Sequence, residues 1–116
     1  MNALDDIAAE RRRQIEVEGW SPRHDDKHAN GQLAGAAATY AMAAGVHDGD
    51  RGMLNFPSRF DLYSNDAITA FKLLWPWSTS WWKPTSRRRD LVKAGALIVA
   101  EIERLDRAEA RERAAP

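Results

Sequence analysis

The sequence predicts a small all-α domain: a helical bundle of three main helices, a long Trp-rich loop and one extra short helix. Three observations predict this fold class. Apolar residues recur at helical spacing near both ends of the chain, an alanine-rich segment lies between them, and glycines or prolines follow the helical segments. The 116 residues suffice for one domain, 1–116, of which about 107–116 is predicted to be a solvated tail.

The first helix is predicted over residues 4–18, with Gly19 as its end. Asp5 and Asp6 fall in its first turn, where the helix dipole favours acidic side chains. Spacings of three and four residues predict one buried stripe, formed by Leu4, Ile7, Arg11 and Ile15.

Two further segments complete the predicted bundle. Residues 31–44 are mostly alanine, which favours a helix that neighbours can approach closely, and this helix is expected to be central. Residues 46–65 are predicted to be a long loop, and residues 66–74 a short helix ended by Trp75-Pro76. The last helix is predicted from a Thr85 or Ser86 cap to about Arg113. It carries an apolar seam suited to another helix, made of Leu91, Gly95, Ile98, Ile102 and Leu105.

Composition excludes several function classes. Seventeen basic residues balance seventeen acidic ones, so no net field attracts duplex nucleic acid or anionic lipid, and neither is an expected partner. The absence of cysteine excludes disulfides, thiol catalysis and Cys-ligated zinc. No apolar run approaches the roughly 20 residues that span a bilayer, and the acidic N-terminus does not resemble a signal peptide. We therefore expect a cytoplasmic protein.

A His-Asp cluster at residues 24–28 is the first candidate for chemistry. His24 and His28 are four positions apart, so on a helix they would share a face and could bind a metal ion with Asp25 or Asp26. The phosphohydrolases of the HD type use such a pair but need further ligands, and the chain offers only His47 and Asp48. The alternative is that His24 and Asp25 brace the loop and support Trp20.

A second metal-dependent possibility is a half-motif on the last helix. Glu103 and Asp106 match the Glu-x-x-Asp of helical nucleoside-triphosphate pyrophosphohydrolases of the MazG-like class. The Glu-Glu-x-x-Glu partner is missing, because the first helix offers only Glu10, Glu16 and Glu18. With both ligand sets incomplete, we expect no catalytic residues, no bound metal, no cofactor and no metal-dependent turnover.

The third candidate is an aromatic and cationic segment. Tryptophan faces stack on bases, and arginine forks bind phosphates. Three arginines at a helix N-terminus are unfavourable for the helix alone, so we expect them to matter for ligand binding more than for folding. The alternative is that the tryptophans form the core and the arginines pair with acids. The predicted ligand-binding residues are Trp20, His24, Asp25, Trp75, Trp77, Trp81, Trp82, Lys83, Arg87, Arg88 and Arg89.

Two parts of the chain resemble small accessory proteins of phages and prophages. The resemblance rests on residues 10–20 with His24-Asp25-Asp26, and on residues 75–77, 81–84 and 87–97. Such proteins are often counter-defence factors with compact helical folds. The resemblance implies a sponge that sequesters a cyclic nucleotide or cyclic ADP-ribose immune signal.

Together these observations predict a protein that binds a nucleotide-like or other anionic small molecule without turning it over. Two alternatives stay open: a metal-dependent nucleotide phosphohydrolase, and a protein-binding inhibitor of a host defence complex. We also expect a homo-oligomer, most simply a dimer, because one short chain leaves the seam of the last helix uncovered.

Overall fold

The structure, a computed structural model, describes residues 2–49, 51 and 65–116, and for residues 65–68 it describes the backbone alone. In these ranges the helices are α1 (Ala3–Glu16), α2 (Pro22–Asp25), α3 (Gln32–Ala44), α4 (Asn65–Leu74) and α5 (Arg87–Ala114), with a 3-10 turn at Thr79–Trp81. No strand occurs in the described ranges, which confirms the predicted small helical bundle. Most of the loop predicted at 46–65 lies outside the described residues.

The ends of the three main helices lie within two residues of the predicted ends, and local capping explains them. Asn2 caps α1 by accepting a hydrogen bond of 2.9 Å from the Asp5 amide. Ser86 caps α5 in the same way, with the Arg89 amide as donor at 3.1 Å. The predicted loop between α1 and α3 contains the single turn α2, which Ser21 caps.

The core forms around α3, as its small residues predict. Leu33, Ala36, Ala37, Tyr40 and Ala43 are buried there, and α3 packs along much of α5. A large aromatic group covers the other side, supplied by Phe71, Trp75 and Trp82. Gly35 permits the close approach of α4, because a Cβ atom at this position would lie 2.3 Å from the carbonyl oxygen of Leu74.

The interface between α1 and α5 is largely polar, and only part of the stripe predicted on α1 is buried: Arg11 is buried and Ile7 lies against Gly95 of α5, but Leu4 is not buried. Leu4 is 78% exposed, and the most buried side chains of α1 are Glu10, Arg11 and Gln14. Arg11 donates to Asp25 at 2.6 Å, which fixes α2 against α1. Buried polar groups need such partners, and most of those on α1 find them on α2 or α5.

The long helix α5 buries a different face from the predicted seam. Val92, Ala94, Ala96, Leu97 and Ala100 are buried, whereas the large apolar residues of the seam are about half exposed. The helix continues into the expected tail, where Arg107 and Arg111 both bind Asp26 of the segment that follows α2. Within the described ranges, no helix is both long and apolar enough to cross a bilayer.

Candidate functional site

A cleft of about 420 Å³ opens between the end of α1, the α2 segment, residues 75–83 and the side of α5 that carries Lys93 and Leu97. Its walls combine aromatic rings, two lysines and a small set of buried polar groups. The lining residues are Glu10, Arg13, Gln14, Glu18, Trp20, His24, His28, Tyr40, Trp75, Trp77, Ser78, Trp81, Lys83, Lys93 and Leu97. We refer to this site as the aromatic cleft.

The rings of the cleft lie close together in edge-to-face and tilted arrangements. The ring centroids of Trp20 and Trp77 are 6.0 Å apart, and His28 meets Trp77 edge-on at 5.5 Å. Trp75 meets Trp77 at 5.5 Å and donates its indole N–H to the carbonyl oxygen of Ser78. Trp81 is 55% exposed. The cleft therefore has a fixed aromatic floor and a more accessible ring at its rim.

Two lysines reach the cleft without a carboxylate partner among the described residues. The Lys83 ammonium lies 5.8 Å from the ring centroid of Trp81. The Lys93 ammonium lies 5.3 Å from the Tyr40 ring and donates to the carbonyl oxygen of Lys83 at 2.8 Å. Burial lowers the pKa of Lys93 below its ordinary value of 10.5, with a smaller contribution from Arg89. A ligand anion would stabilise both ammonium groups.

Gln14 brings an unsatisfied acceptor to the cleft wall. Its side chain is buried, and its Nε2 donates to Glu10 at 3.3 Å. This bond fixes the amide orientation, and Oε1 then has no hydrogen-bond partner in the part of the chain that the structure describes. A buried acceptor without a partner typically costs about 1–3 kcal/mol, so its place beside a cleft points to a ligand that donates a hydrogen bond.

Glu10 is the buried centre of an ion-pair network beneath the cleft. It accepts hydrogen bonds from Arg13 at 2.8 Å and from Arg89 at 2.5 Å. Burial raises the pKa of Glu10, but the hydrogen bonds from the two arginines outweigh burial, so its pKa lies below the ordinary 4.5. Arg13 also binds Glu18 at 2.8 Å. These carboxylates are thus already neutralised within the protein.

The two histidines of the predicted cluster meet at the cleft. Their ring centroids are 4.9 Å apart, and the His24 ring lies nearly parallel to Trp20 at 6.5 Å. Burial lowers the pKa of His28 below 6.5, and the neighbouring His24 adds to the effect. Asp25 is buried against Arg11, so it braces α2 and does not line the cleft. Among the described residues, no three His, Asp or Glu side chains are grouped to hold a metal ion.

Arg87, Arg88 and Arg89 do not line the aromatic cleft, and each has protein partners. Arg87 donates to the carbonyl oxygens of Ala44 at 2.8 Å and Val46 at 2.7 Å, and so caps the end of α3. Arg88 pairs with Asp6 at 2.5 Å, and Arg89 pairs with Glu10. These bonds correspond to the alternative in which the arginines pair with acids. Whether the three also bind a ligand stays a prediction.

Of the remaining predicted residues, Trp20, His24, Trp75, Trp77, Trp81 and Lys83 do line the cleft. Trp82 does not, because it is 6% exposed and packs in the core against Phe71 and Tyr40. The sequence reasoning missed His28, Tyr40, Gln14 and Lys93. The i, i+4 spacing of Glu10 and Gln14 on a helix beside an Arg-rich helix is a signal that could have indicated a polar wall, but it was not used.

Comparison with protein-family models, with curated proteins and with solved structures found no match. The function is therefore argued from the chemistry of the aromatic cleft.

Proposed function

We propose that the protein binds a nucleotide-like small molecule in the aromatic cleft and releases it unchanged. One observation carries the proposal: tryptophan rings and two lysines that no carboxylate of the described residues pairs with line the same cleft, and Gln14 of its wall has a buried amide oxygen without a partner among those residues. Its volume of about 420 Å³ falls within the range of roughly 300–1,000 Å³ that is usual for small-molecule sites.

Each part of such a ligand has a matching group in the cleft. Trp20, Trp77 and Trp81 offer rings on which a base can stack, at about 1–3 kcal/mol per stacked base. The carbonyl oxygen of Gln14 would accept a hydrogen bond from an N–H group of the base. The ammonium groups of Lys83 and Lys93 would bind the phosphate.

The lysines take the phosphate-binding role in this proposal, in place of the three arginines at the start of α5. Arg87 is bound to carbonyl oxygens and Asp48, and Arg89 to the buried Glu10. Breaking the contact between Arg89 and Glu10 would leave the buried Glu10 with Arg13 as its remaining cationic partner, which costs stability. The ammonium group of Lys83 contacts the Trp81 ring, a weaker interaction to give up than an ion pair when it turns to an anion.

The biological form of the proposal is sequestration of a host immune nucleotide signal, the role that the resemblance to phage accessory proteins implies. The proposal includes self-association, for which a surface is described in the next subsection. A metal-dependent phosphohydrolase and a protein inhibitor of a host complex are the competing functions, and the experiments below separate them.

The first experiment is a calorimetric titration with a panel of ligands: adenosine and guanosine, their monophosphates, their cyclic mononucleotides, cyclic ADP-ribose and inorganic phosphate. We expect at least one nucleotide to bind with a Kd below about 100 μM, and to bind more tightly than its nucleoside. If no member of the panel binds below about 1 mM, the proposal is wrong.

Four variants assign the contacts. Trp81→Ala should weaken the nucleotide and its nucleoside alike, by roughly 5- to 150-fold, because stacking is lost. Lys83→Gln should weaken the nucleotide about 10- to 100-fold and leave the nucleoside unchanged. Gln14→Met keeps the volume and removes the acceptor, so it should weaken both. The matched control is Lys72→Gln, an exposed lysine that does not line the cleft, and it should change neither affinity.

Recovery of the ligand distinguishes binding from turnover. After incubation with magnesium or manganese and heat denaturation, chromatography should return the bound nucleotide intact. Appearance of a hydrolysed product, lost in His24→Ala or Glu103→Ala, would instead establish the phosphohydrolase. Retention of a host protein on immobilised wild type, unchanged in Trp81→Ala and without nucleotide binding, would support the protein inhibitor.

A further inference from the structure

A row of exposed apolar side chains runs along α5, on the side away from the aromatic cleft. Leu91, Ile98, Ile102 and Leu105 are 51%, 49%, 52% and 51% exposed. Their spacings of seven, four and three residues place them within a narrow arc of the helix. At 1.5 Å per residue the row is about 21 Å long.

The fold of one chain leaves this row uncovered among the described residues. The helices α1 and α3 pack on other faces of α5, where Val92, Ala96 and Leu97 are buried. Contiguous apolar patches of this kind are uncommon on monomers, and a row at heptad spacing suits a second helix. The row is thus an interaction surface for a helix.

Charges at the two ends of the row select the orientation of that helix. Arg87 and Arg88 precede the row; they pair with Asp48 and Asp6 of their own chain, but their side chains stay 45% and 65% exposed. Asp106, Glu109 and Glu112 follow the row on the same side of α5. Arg113 also lies at that end, where Glu109 binds it at 2.8 Å. A second α5 in antiparallel orientation brings each basic end beside an acidic end, and the helix dipoles favour the same arrangement. A parallel pair would place the arginines together.

We propose that this surface binds a second copy of the chain, with the two α5 helices antiparallel and the two-fold axis beside Ile98. Leu91 of one protomer then lies near Leu105 of its partner, as a symmetric interface requires. Lys93 and Leu97, which line the aromatic cleft, lie on the far side of α5, so both clefts stay open. The interface is independent of the proposed ligand.

The first test is cross-linking, and the absence of cysteine from the chain makes it direct. Ile98→Cys should form a disulfide-linked dimer on mild oxidation, because this residue is close to the axis. Leu91→Cys alone should not, whereas an equimolar mixture of Leu91→Cys and Leu105→Cys should. The control is Leu73→Cys, an apolar position on α4 that is 80% exposed. Self-linking of Leu91→Cys that equals that of Ile98→Cys would overturn the antiparallel arrangement.

The second test is the mass in solution by light scattering. Wild type should reach the dimer mass by about 1 mM, and the joint change Ile98→Glu with Ile102→Glu should be monomeric at that concentration. Circular dichroism checks that this variant folds, which half-exposed positions permit. The control Leu73→Glu should remain dimeric. The proposal is overturned if the wild type stays monomeric, which would happen if another part of the chain covered the row. It is also overturned if the double variant still forms a dimer.

Discussion

The arginines between the helices and the lysines of the aromatic cleft carry the same charge but differ in what satisfies it. Arg11 binds Asp25 and Arg89 binds Glu10, each a carboxylate with a side chain only 1% exposed. Lys83 and Lys93 contact rings and a carbonyl oxygen. Cations paired with buried carboxylates hold helices together, whereas cations without a carboxylate are the ones available to an external anion. Charge alone therefore does not identify a binding residue.

The largest expected effect on stability concerns the arginines between the helices. Arg11→Met removes the partner of a carboxylate that is 1% exposed, and an unpaired buried charge costs about 3–5 kcal/mol. Urea unfolding at neutral pH should show this loss in the free energy of unfolding. The control is Arg113→Met, whose pair with Glu109 is exposed on both sides, and its effect should stay within about 1 kcal/mol.

A second variant shows whether the loss of stability comes from the missing ion pair or from the unpaired charge of Asp25. Adding Asp25→Leu to Arg11→Met removes both partners, and should recover much of the lost stability. If Arg11→Met lowers the free energy of unfolding by less than about 1 kcal/mol, solvent reaches Asp25. The arginines between the helices would then not differ from the lysines of the aromatic cleft in the way described above.

The next largest effect is the contribution of the Glu10 ion pairs to stability, and this contribution depends on pH. Its pKa is lowered in the folded protein, so the ion pairs contribute stability at pH values above 4.5, the ordinary value, and lose it as the pH falls through the lowered pKa. Glu10→Gln should cost about 1.5–3 kcal/mol at neutral pH, since it weakens charge-assisted hydrogen bonds from Arg13 and Arg89. It should also flatten the acid limb of the stability profile.

The matched control for Glu10 is Asp6→Asn. Asp6 pairs with Arg88, whose side chain is 65% exposed, so this change should cost at most about 1 kcal/mol. Thermal melts from about pH 7 down to about pH 3 would compare the two variants over the range where carboxylates titrate. If both lose the same amount, the burial of Glu10 has no energetic consequence.

The main helices could be predicted because their signals are local. The Ser86 cap, the alanine-rich segment of α3 and the glycines that follow α1 and α3 act within one or two turns of each helix end. The short helix at residues 65–74 followed in the same way from its periodicity and from Pro76. Such features need no knowledge of the neighbouring helices.

The sequence predicted less well which face of each helix is buried, because the buried face depends on what packs against the helix. The spacing of Leu4, Ile7, Arg11 and Ile15 predicted the buried side of α1, but Leu4 is exposed, and the contact with Arg89 of α5 buries Glu10 as well. The pairing with Glu10 also keeps Arg89 out of the lining of the cleft. Gln14 gave no sign of an unsatisfied oxygen in the sequence, since that depends on distances to Glu10 and to the cleft.

The smallest expected effect lies in the cleft itself, at His28. Burial among Trp77 and His24 lowers its pKa below 6.5, so the folded protein keeps the ring neutral while the unfolded chain binds a proton as the pH falls. This contribution is therefore complete above pH 6.5 and declines below it, until the pH reaches the lowered pKa of the folded state. Between about pH 7.5 and pH 5.5, the free energy of unfolding should fall by less than about 1.4 kcal/mol because of His28, since 1.4 kcal/mol corresponds to one pKa unit.

His28→Gln should remove this pH dependence of the free energy of unfolding. The control His47→Gln, at an exposed position outside the cleft, should retain it. A slope that persists unchanged in His28→Gln would place the responsible proton elsewhere, and the cleft would then lack the desolvated character that distinguishes it from the surface.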